Sequence, residues 1–386
     1  MSEDSLGWGI YVHTPWCRIR CPYCAFEVQT DAPRWQHWRD GVLRHLSLES
    51  PHFNQPADHL YFGGGTPSLA PPALLGELIA AMPLAPGSEI TVEANPGTVD
   101  TALMEGLVEA GVNRLSVGIQ TFQPRLARLL ARGHTVGQAA DLLSLVRSFE
   151  GQGLRSWSAD LIFAVPGETL DDLADDLARL LDSGAPHVSL YGLSFEPGTP
   201  LARARDAGRI TPVGSEDWSE QYDLVVRMLE DGGLTRYEVS NFARAGHRAR
   251  HNGHVWRGGH YMGLGPSAHG FRPDGTRTKG RSGVEAWLTE PVGPLEHPSP
   301  EEAAVDLILS TLRHVDGVPV YRLSARTGFT IDRAPLRPHL ARGLLVDDTA
   351  HGTLRLGPPG WPVADGLVRT LVDALIPATE AASRQA

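Results

Sequence analysis

Cysteine is scarce in this 386-residue chain: there are three, all between positions 17 and 24. So few thiols, in an odd number, exclude a disulfide framework. No apolar run approaches the roughly 20 residues of a membrane span. The chain opens with Met-Ser-Glu-Asp-Ser-Leu-Gly; with no basic start leading into an apolar stretch, no secretory leader is predicted. Reduced thiols then point to the cytoplasm. Lys and Arg together number 34 against 45 Asp and Glu, a net charge of −11. That balance argues against a nucleic-acid surface, which clustered basic residues normally drive. Length suggests about two or three domains.

What is present is concentrated. Cys17, Cys21 and Cys24 are separated by three residues and then two. Three thiolates converging from one loop suit the corners of an iron–sulfur cube, with one iron left open to a small molecule. Zinc is the alternative, although a structural zinc site normally takes four ligands in two-residue pairs.

Short β-type runs at Gly9–His13, Asp58–Phe62, Glu89–Glu93, Arg114–Gln120, Ser156–Phe163 and His187–Leu193 alternate with helix-type runs. Alternation predicts parallel strands with crossover helices, an α/β fold read as an open, partial (β/α)6 barrel. On such a barrel, chemistry collects at the C-terminal strand ends. The first strand leads into the cysteines, and the second into Gly63-Gly64-Gly65-Thr66-Pro67-Ser68. There the missing side chains let backbone N–H groups approach a ligand, a tight turn being the alternative. The third closes with Glu93-Ala94-Asn95-Pro96, the fourth with Gln120, and the fifth carries Asp160 in an apolar stretch. A carboxylate so placed needs a ligand or a partner, the plain alternative being an ion pair with a core arginine.

Together with Tyr11, Gly118-Ile119-Gln120, Arg132-Gly133-His134 and Asp160-Leu161-Ile162, these motifs span about Tyr11 to His269. They resemble the oxygen-independent coproporphyrinogen III oxidase family of radical S-adenosylmethionine (SAM) proteins. The resemblance implies that Cys17, Cys21 and Cys24 hold a [4Fe-4S] cluster, and that Gly64, Gly65 and Glu93 contact the SAM amino and carboxylate groups. Tyr11, Tyr23, Thr66, Gln120, Arg132, Asp160 and Gly192 would complete the SAM site.

The family holds two kinds of protein. Resemblance to the oxidases would want a fourth cysteine where Phe26 stands, and a long N-terminal arm where sixteen residues precede Cys17. Tyr237–Ala243 and His251-Asn252-Gly253-His254-Val255-Trp256-Arg257 instead resemble HemW-type haem chaperones, whose His-Asn-x-x-Tyr-Trp element is associated with haem. The family tyrosine is Val255 here, and Ala25 stands where an Asp is common. Imidazole is a common haem ligand and tryptophan offers a flat apolar face, so His251 and Trp256 are the candidate haem residues. His254 is a second imidazole, and ordinary loop histidines are the alternative. The resemblance implies haem binding and delivery to an acceptor protein, at a membrane or not, with an electron donor for the cluster. Porphyrinogen oxidation is the enzymatic alternative, and a haem-degrading radical SAM methyltransferase a third reading.

Gly263-Leu264-Gly265-Pro266-Ser267-Ala268-His269-Gly270 matches a family pattern and, lacking a third spaced glycine and a following helix, is no dinucleotide fingerprint. Alternation, the resemblance and composition together divide the chain into a barrel over 1–240, a segment that the resemblance associates with haem and a linker over 241–298, and a small winged-helix-like α+β domain over 299–386. Phe271–Pro298, rich in Gly, Pro and charge, reads as the linker. The last domain starts with a helix capped by Ser299 and Glu302 around Pro300. A helix over Leu336–Leu345 and a wing at Leu345–Asp347 and Leu354–Leu356 follow. Acidic Asp347 and Asp348 argue against DNA binding, so this domain is expected to cover the barrel mouth or contact a partner.

Overall fold

A computed structural model describes residues 7–380. The expected strands form as β1 (Trp8–Thr14), β2 (Ala57–Gly64), β3 (Leu84–Ala94), β4 (Arg114–Gln120), β5 (Ser156–Phe163) and β6 (His187–Gly192), each parallel to the next. The helices between them bury one face. Leu170–Asp182 starts at a reciprocal cap between Thr169 and Asp172, and buries Leu173, Leu177 and Leu180. The strands bury alternate residues beneath such helices, including Ile10, Val12, Leu60, Phe62, Val92, Leu115 and Val117. Their opposite positions place Tyr11, His59, Tyr61, Glu93, Ser116, Ser158, Asp160 and Ser189 inside. Closed barrels usually fill that space with branched apolar side chains. A polar interior instead suits a ligand.

The sheet is wider than six strands. It adds β7 (Thr235–Arg236), β8 (Asn241–Ala243), β9 (His260–Leu264), β10 (His269–Phe271) and β11 (Arg277–Lys279). Its order is β11-β10-β9-β1-β2-β3-β4-β5-β6-β8-β7, with β9 parallel to β1 and β8 antiparallel to β6. Residues 241–279 thus extend both edges of the barrel sheet instead of standing apart from it. The expected linker contains β11 and a helix, Val284–Thr289, whose Trp287 is fully buried. Strands of two to five residues are too short for alternation to reveal.

In the C-terminal part, helix Pro300–Thr311 carries the expected reciprocal cap of Ser299 and Glu302. The expected hairpin forms between Leu345–Asp348 and Thr353–Leu356. The helix expected over Leu336–Leu345 is only Arg337–Ala341, because Gly343 turns left-handed at φ 67°. Arg326 donates to the Gly258 carbonyl at 3.2 Å and lies 2.9 Å from His260 Nε2. His260 is level with Trp8, the start of β1, whereas the cysteines follow Thr14 at its end. Those levels are about 20 Å apart at the rise of a strand. This contact of the domain therefore lies at the barrel floor, the end opposite the cysteines. Among the described residues no helix is long and apolar enough to cross a membrane.

Candidate functional site

The C-terminal ends of β1 to β4 meet in one polar network. Thr66 Oγ1 donates to Cys17 Sγ at 3.5 Å and accepts from Asn95 Nδ2 at 3.1 Å. Arg132 donates to the Gly118 carbonyl at 2.8 Å and to Asn95 Oδ1, while its other terminal nitrogen lies 3.6 Å from Cys21 Sγ and 3.4 Å from the Tyr23 hydroxyl. Burial raises the thiols of Cys17 and Cys24, and the Cys21 thiolate raises both further while the Arg132 cation opposes it. Among the described residues no three Cys, His, Asp or Glu side chains gather around one ion-sized point. Three thiols along one loop, with hydroxyl and guanidinium donors on two of the sulfurs, fit a cluster of several irons.

Below the network lies Glu93. It accepts from the Tyr61 hydroxyl at 2.8 Å and from Gly64 N at 3.0 Å, and burial pushes its carboxyl up to about 7. Gly64 has φ 104°, and a Cβ there would sit 2.4 Å from the His13 ring. Gly65 N donates to the Thr14 carbonyl at 2.7 Å. Both N–H groups expected to approach a ligand are therefore spent inside the protein. The turn ties β2 to β1 and holds Glu93.

Asp160 accepts from Ser116 at 2.8 Å and from Ser158 at 2.7 Å, so serines take the place of the arginine considered as its partner. Burial raises its carboxyl. Ser158 continues to His187 Nδ1 at 3.0 Å, whose Nε2 lies 2.8 Å from the Tyr237 hydroxyl. Gln120 is left-handed at φ 71°, where the β4–β5 register slips. The Tyr11 hydroxyl lies 3.1 Å from His13 Nδ1, and Gly192 ends β6 against Trp218 and Phe163. Tyr61 and Asn95 were not among the expected site residues. Alternation with Gly63 already places Tyr61 inside, and Asn95 belongs to the Glu-Ala-Asn-Pro motif.

The candidate haem residues lie on helix Arg250–Trp256. The His251 ring stacks on Tyr61, centroids 4.8 Å apart at 26°, and meets His59 edge-on at 5.1 Å. Its Nδ1 is buried without a hydrogen-bond partner, and burial takes the imidazole down to about 3, so it is neutral. His254 is 3% exposed and its Nε2 lies 2.8 Å from the His260 carbonyl, so this second imidazole is already engaged. Five residues along a helix, Trp256 points roughly 140° away from His251. The two candidate haem residues do not form one pocket.

A parallel α/β barrel with a three-cysteine loop after its first strand defines a radical SAM protein, and the Radical SAM superfamily model matches residues 11–180. The heme chaperone HemW of Mycobacterium tuberculosis is 33% identical over 392 residues, covering 94% of each chain. HemW of Escherichia coli is 32% identical over 375 residues, covering 90% of this chain and 95% of its own. The chain belongs to the HemW family. Coproporphyrinogen III oxidase HemN of Escherichia coli superposes with a TM-score of 0.78 over 96% of this chain and 92% of its own, at 17% identity. That likeness shows the fold alone.

Proposed function

We propose that this protein is a haem chaperone built on a radical SAM scaffold, working in the cytoplasm and passing haem to an acceptor protein. The observation that carries the reading is the near full-length similarity to HemW proteins. An exposed Phe26, 63% accessible at the position where the oxidase pattern wants cysteine, supports it over porphyrinogen oxidation.

In this reading Cys17, Cys21 and Cys24 bind the cluster as thiolates, each giving up a proton when it loads. Thr66 and Arg132 donate to the sulfurs of Cys17 and Cys21, which stabilises their negative charge. Glu93 receives the SAM amino group, with Tyr61 and Gly64 fixing its carboxylate. Tyr11, Tyr23, Gln120, Asp160 and Gly192 line the remainder. Bound cluster and SAM supply one-electron chemistry, for which an electron-donor protein is the implied partner.

The test is anaerobic. Cluster-reconstituted protein is titrated with haem, then offered coproporphyrinogen III with SAM and a reductant. Stoichiometric Soret binding, haem transfer to an added apo-haemoprotein and no decarboxylated product are expected. Protoporphyrinogen formed over many turnovers would make the protein an oxidase, and opening of the haem ring would make it a degrader.

A further inference from the structure

We propose that the outer face of the cysteine loop is the docking surface for an acidic, one-electron donor protein. Arg18, Arg20 and Arg203 would meet the donor's carboxylates, and Ile19 and Phe26 its apolar groups. The inference rests on the reading that Cys17, Cys21 and Cys24 hold an iron–sulfur cluster. All three cysteines of the chain are in this loop, so cysteine ligation provides no second iron–sulfur relay within it. An electron bound for the cluster must therefore cross from outside. The three thiols are partly exposed, so the loop itself is where an outside donor can come close.

The surface of this loop differs from the rest of the molecule. The chain carries a net charge of −11, yet residues 15–26 contain two arginines and no carboxylate. Glu27, which follows, is partly buried and accepts from Ser267 Oγ at 3.3 Å. Arg18 is exposed and donates to the Gly97 carbonyl at 2.6 Å, just beyond β3. Arg20 is also exposed, and its cation is close enough to Cys24 to oppose the raising of that thiol by burial. The third arginine comes from another element. Leu201 N donates to the Pro22 carbonyl at 2.9 Å, which fixes the start of helix Pro200–Asp206 against the loop. Arg203 stands exposed on that helix and donates to the Gly198 carbonyl at 2.6 Å. Its neighbour Arg205 is paired with Asp206, whereas Arg18, Arg20 and Arg203 form no ion pair among the described residues. The same loop exposes two large apolar side chains, Ile19 at 49% and Phe26 at 63%. Aromatic and apolar groups rimmed by arginine are the composition of a protein interface. Unpaired positive charge on an otherwise acidic molecule steers an acidic partner to that place. An anionic membrane also attracts cations, but three give a weak hold, and a lipid surface brings no electron. In the complex one electron passes from the donor's reduced centre to the cluster. The donor is oxidised by one equivalent, and no covalent bond forms or breaks.

The test uses cluster-reconstituted full-length protein under anaerobic conditions, with a flavodoxin and a ferredoxin as the acidic probes. Dissociation constants are measured by titration calorimetry at low and high salt for the parent, for Arg203→Glu, and for Arg18→Glu combined with Arg20→Glu. Arg369→Glu, at an exposed position of helix Ala364–Asp373 in the C-terminal part, is the control. Cluster absorbance is checked in each variant, so a loop that fails to load is not mistaken for a lost contact. Arg203, outside the loop, keeps the test open if the double variant loads poorly. Arg203→Glu is expected to weaken binding of at least one probe about fivefold at low salt. The difference should shrink at high salt, because the charges are exposed. Arg369→Glu makes the same change in net charge and is expected to bind like the parent. Equal weakening in Arg369→Glu would overturn the proposal, as would an Arg203→Glu variant that binds both probes like the parent. A parent that loads its cluster and binds neither probe would overturn it too. Lost binding to phosphatidylserine vesicles, with donor binding unchanged, would make this a membrane face and likewise sink it. If the parent takes up no cluster, the reading of the loop itself fails, and the inference falls with it.

Discussion

At the scale of single residues, Glu93 is the most telling group, because its protonation decides whether the interior can hold a cation. Burial pushes its carboxyl up to about 7, against the pull of the Tyr61 and Gly64 donors. The fold therefore favours the protonated acid. Between the ordinary carboxylate range and about 7 the native state binds the extra proton, so this group's contribution to stability is present at low pH and lost as pH rises through about 7. An ammonium group needs the ionised form. SAM affinity should accordingly rise from pH 6 to pH 8, by at most about tenfold per unit below the folded pKa. Equilibrium dialysis across that range checks it, with Glu93→Gln expected to bind more weakly and with a flat profile. An equal slope in the variant would place the titration elsewhere. Glu93 was legible in the sequence as the end of a strand motif; alternation put Tyr61 on the same inner face, but its part as the donor to Glu93 was not legible, since a tyrosine in a strand is ordinarily just a good strand former.

At the scale of elements, the long strands and capped helices were readable because seven or eight residues of alternation outweigh local noise. The short strands β8 to β11 were not, and a Gly- and Pro-rich composition disguised β11 as linker. What fixes this part of the chain is a contact far apart in sequence. Arg272, just after β10, donates to both carboxylate oxygens of Glu49, at 3.0 and 2.8 Å, in the helix Trp35–Glu49. The side chains are 9% and 1% exposed. Arg272→Met should leave a buried carboxylate unpaired and cost about 3–5 kcal/mol. Replacing both, Arg272→Met with Glu49→Leu, should recover most of that loss, because two apolar groups need no partner. Urea unfolding midpoints of the parent and the two variants measure the difference. A double variant no better than the single one would mean that the pair also shapes the surrounding packing.

At the scale of the whole molecule, how the C-terminal domain meets the barrel was beyond the sequence. The answer depends on β9 returning beside β1, a pairing across some 250 residues of chain. With that pairing in place, Leu307, Ile308 and Leu312 of the last domain share one apolar cluster with Val188, Leu190, Leu229 and Phe242 of the barrel. Arg236, in β7, lies over the Trp361 ring at 4.2 Å. Val239 N, two residues before β8, reaches the Arg313 carbonyl at 2.9 Å. A domain joined only by a linker would unfold independently. One that completes its neighbour's core should not. The cluster-free chain should therefore unfold in urea as one transition, with far-UV circular dichroism and tryptophan fluorescence coinciding. Trp16, Trp38 and Trp157 are buried with the barrel, and Trp361 with the C-terminal helices, so the two probes sample both parts. Two separated transitions would show that the shared cluster does not couple them, and that the boundary near residue 298 divides the molecule in energy as well as in composition.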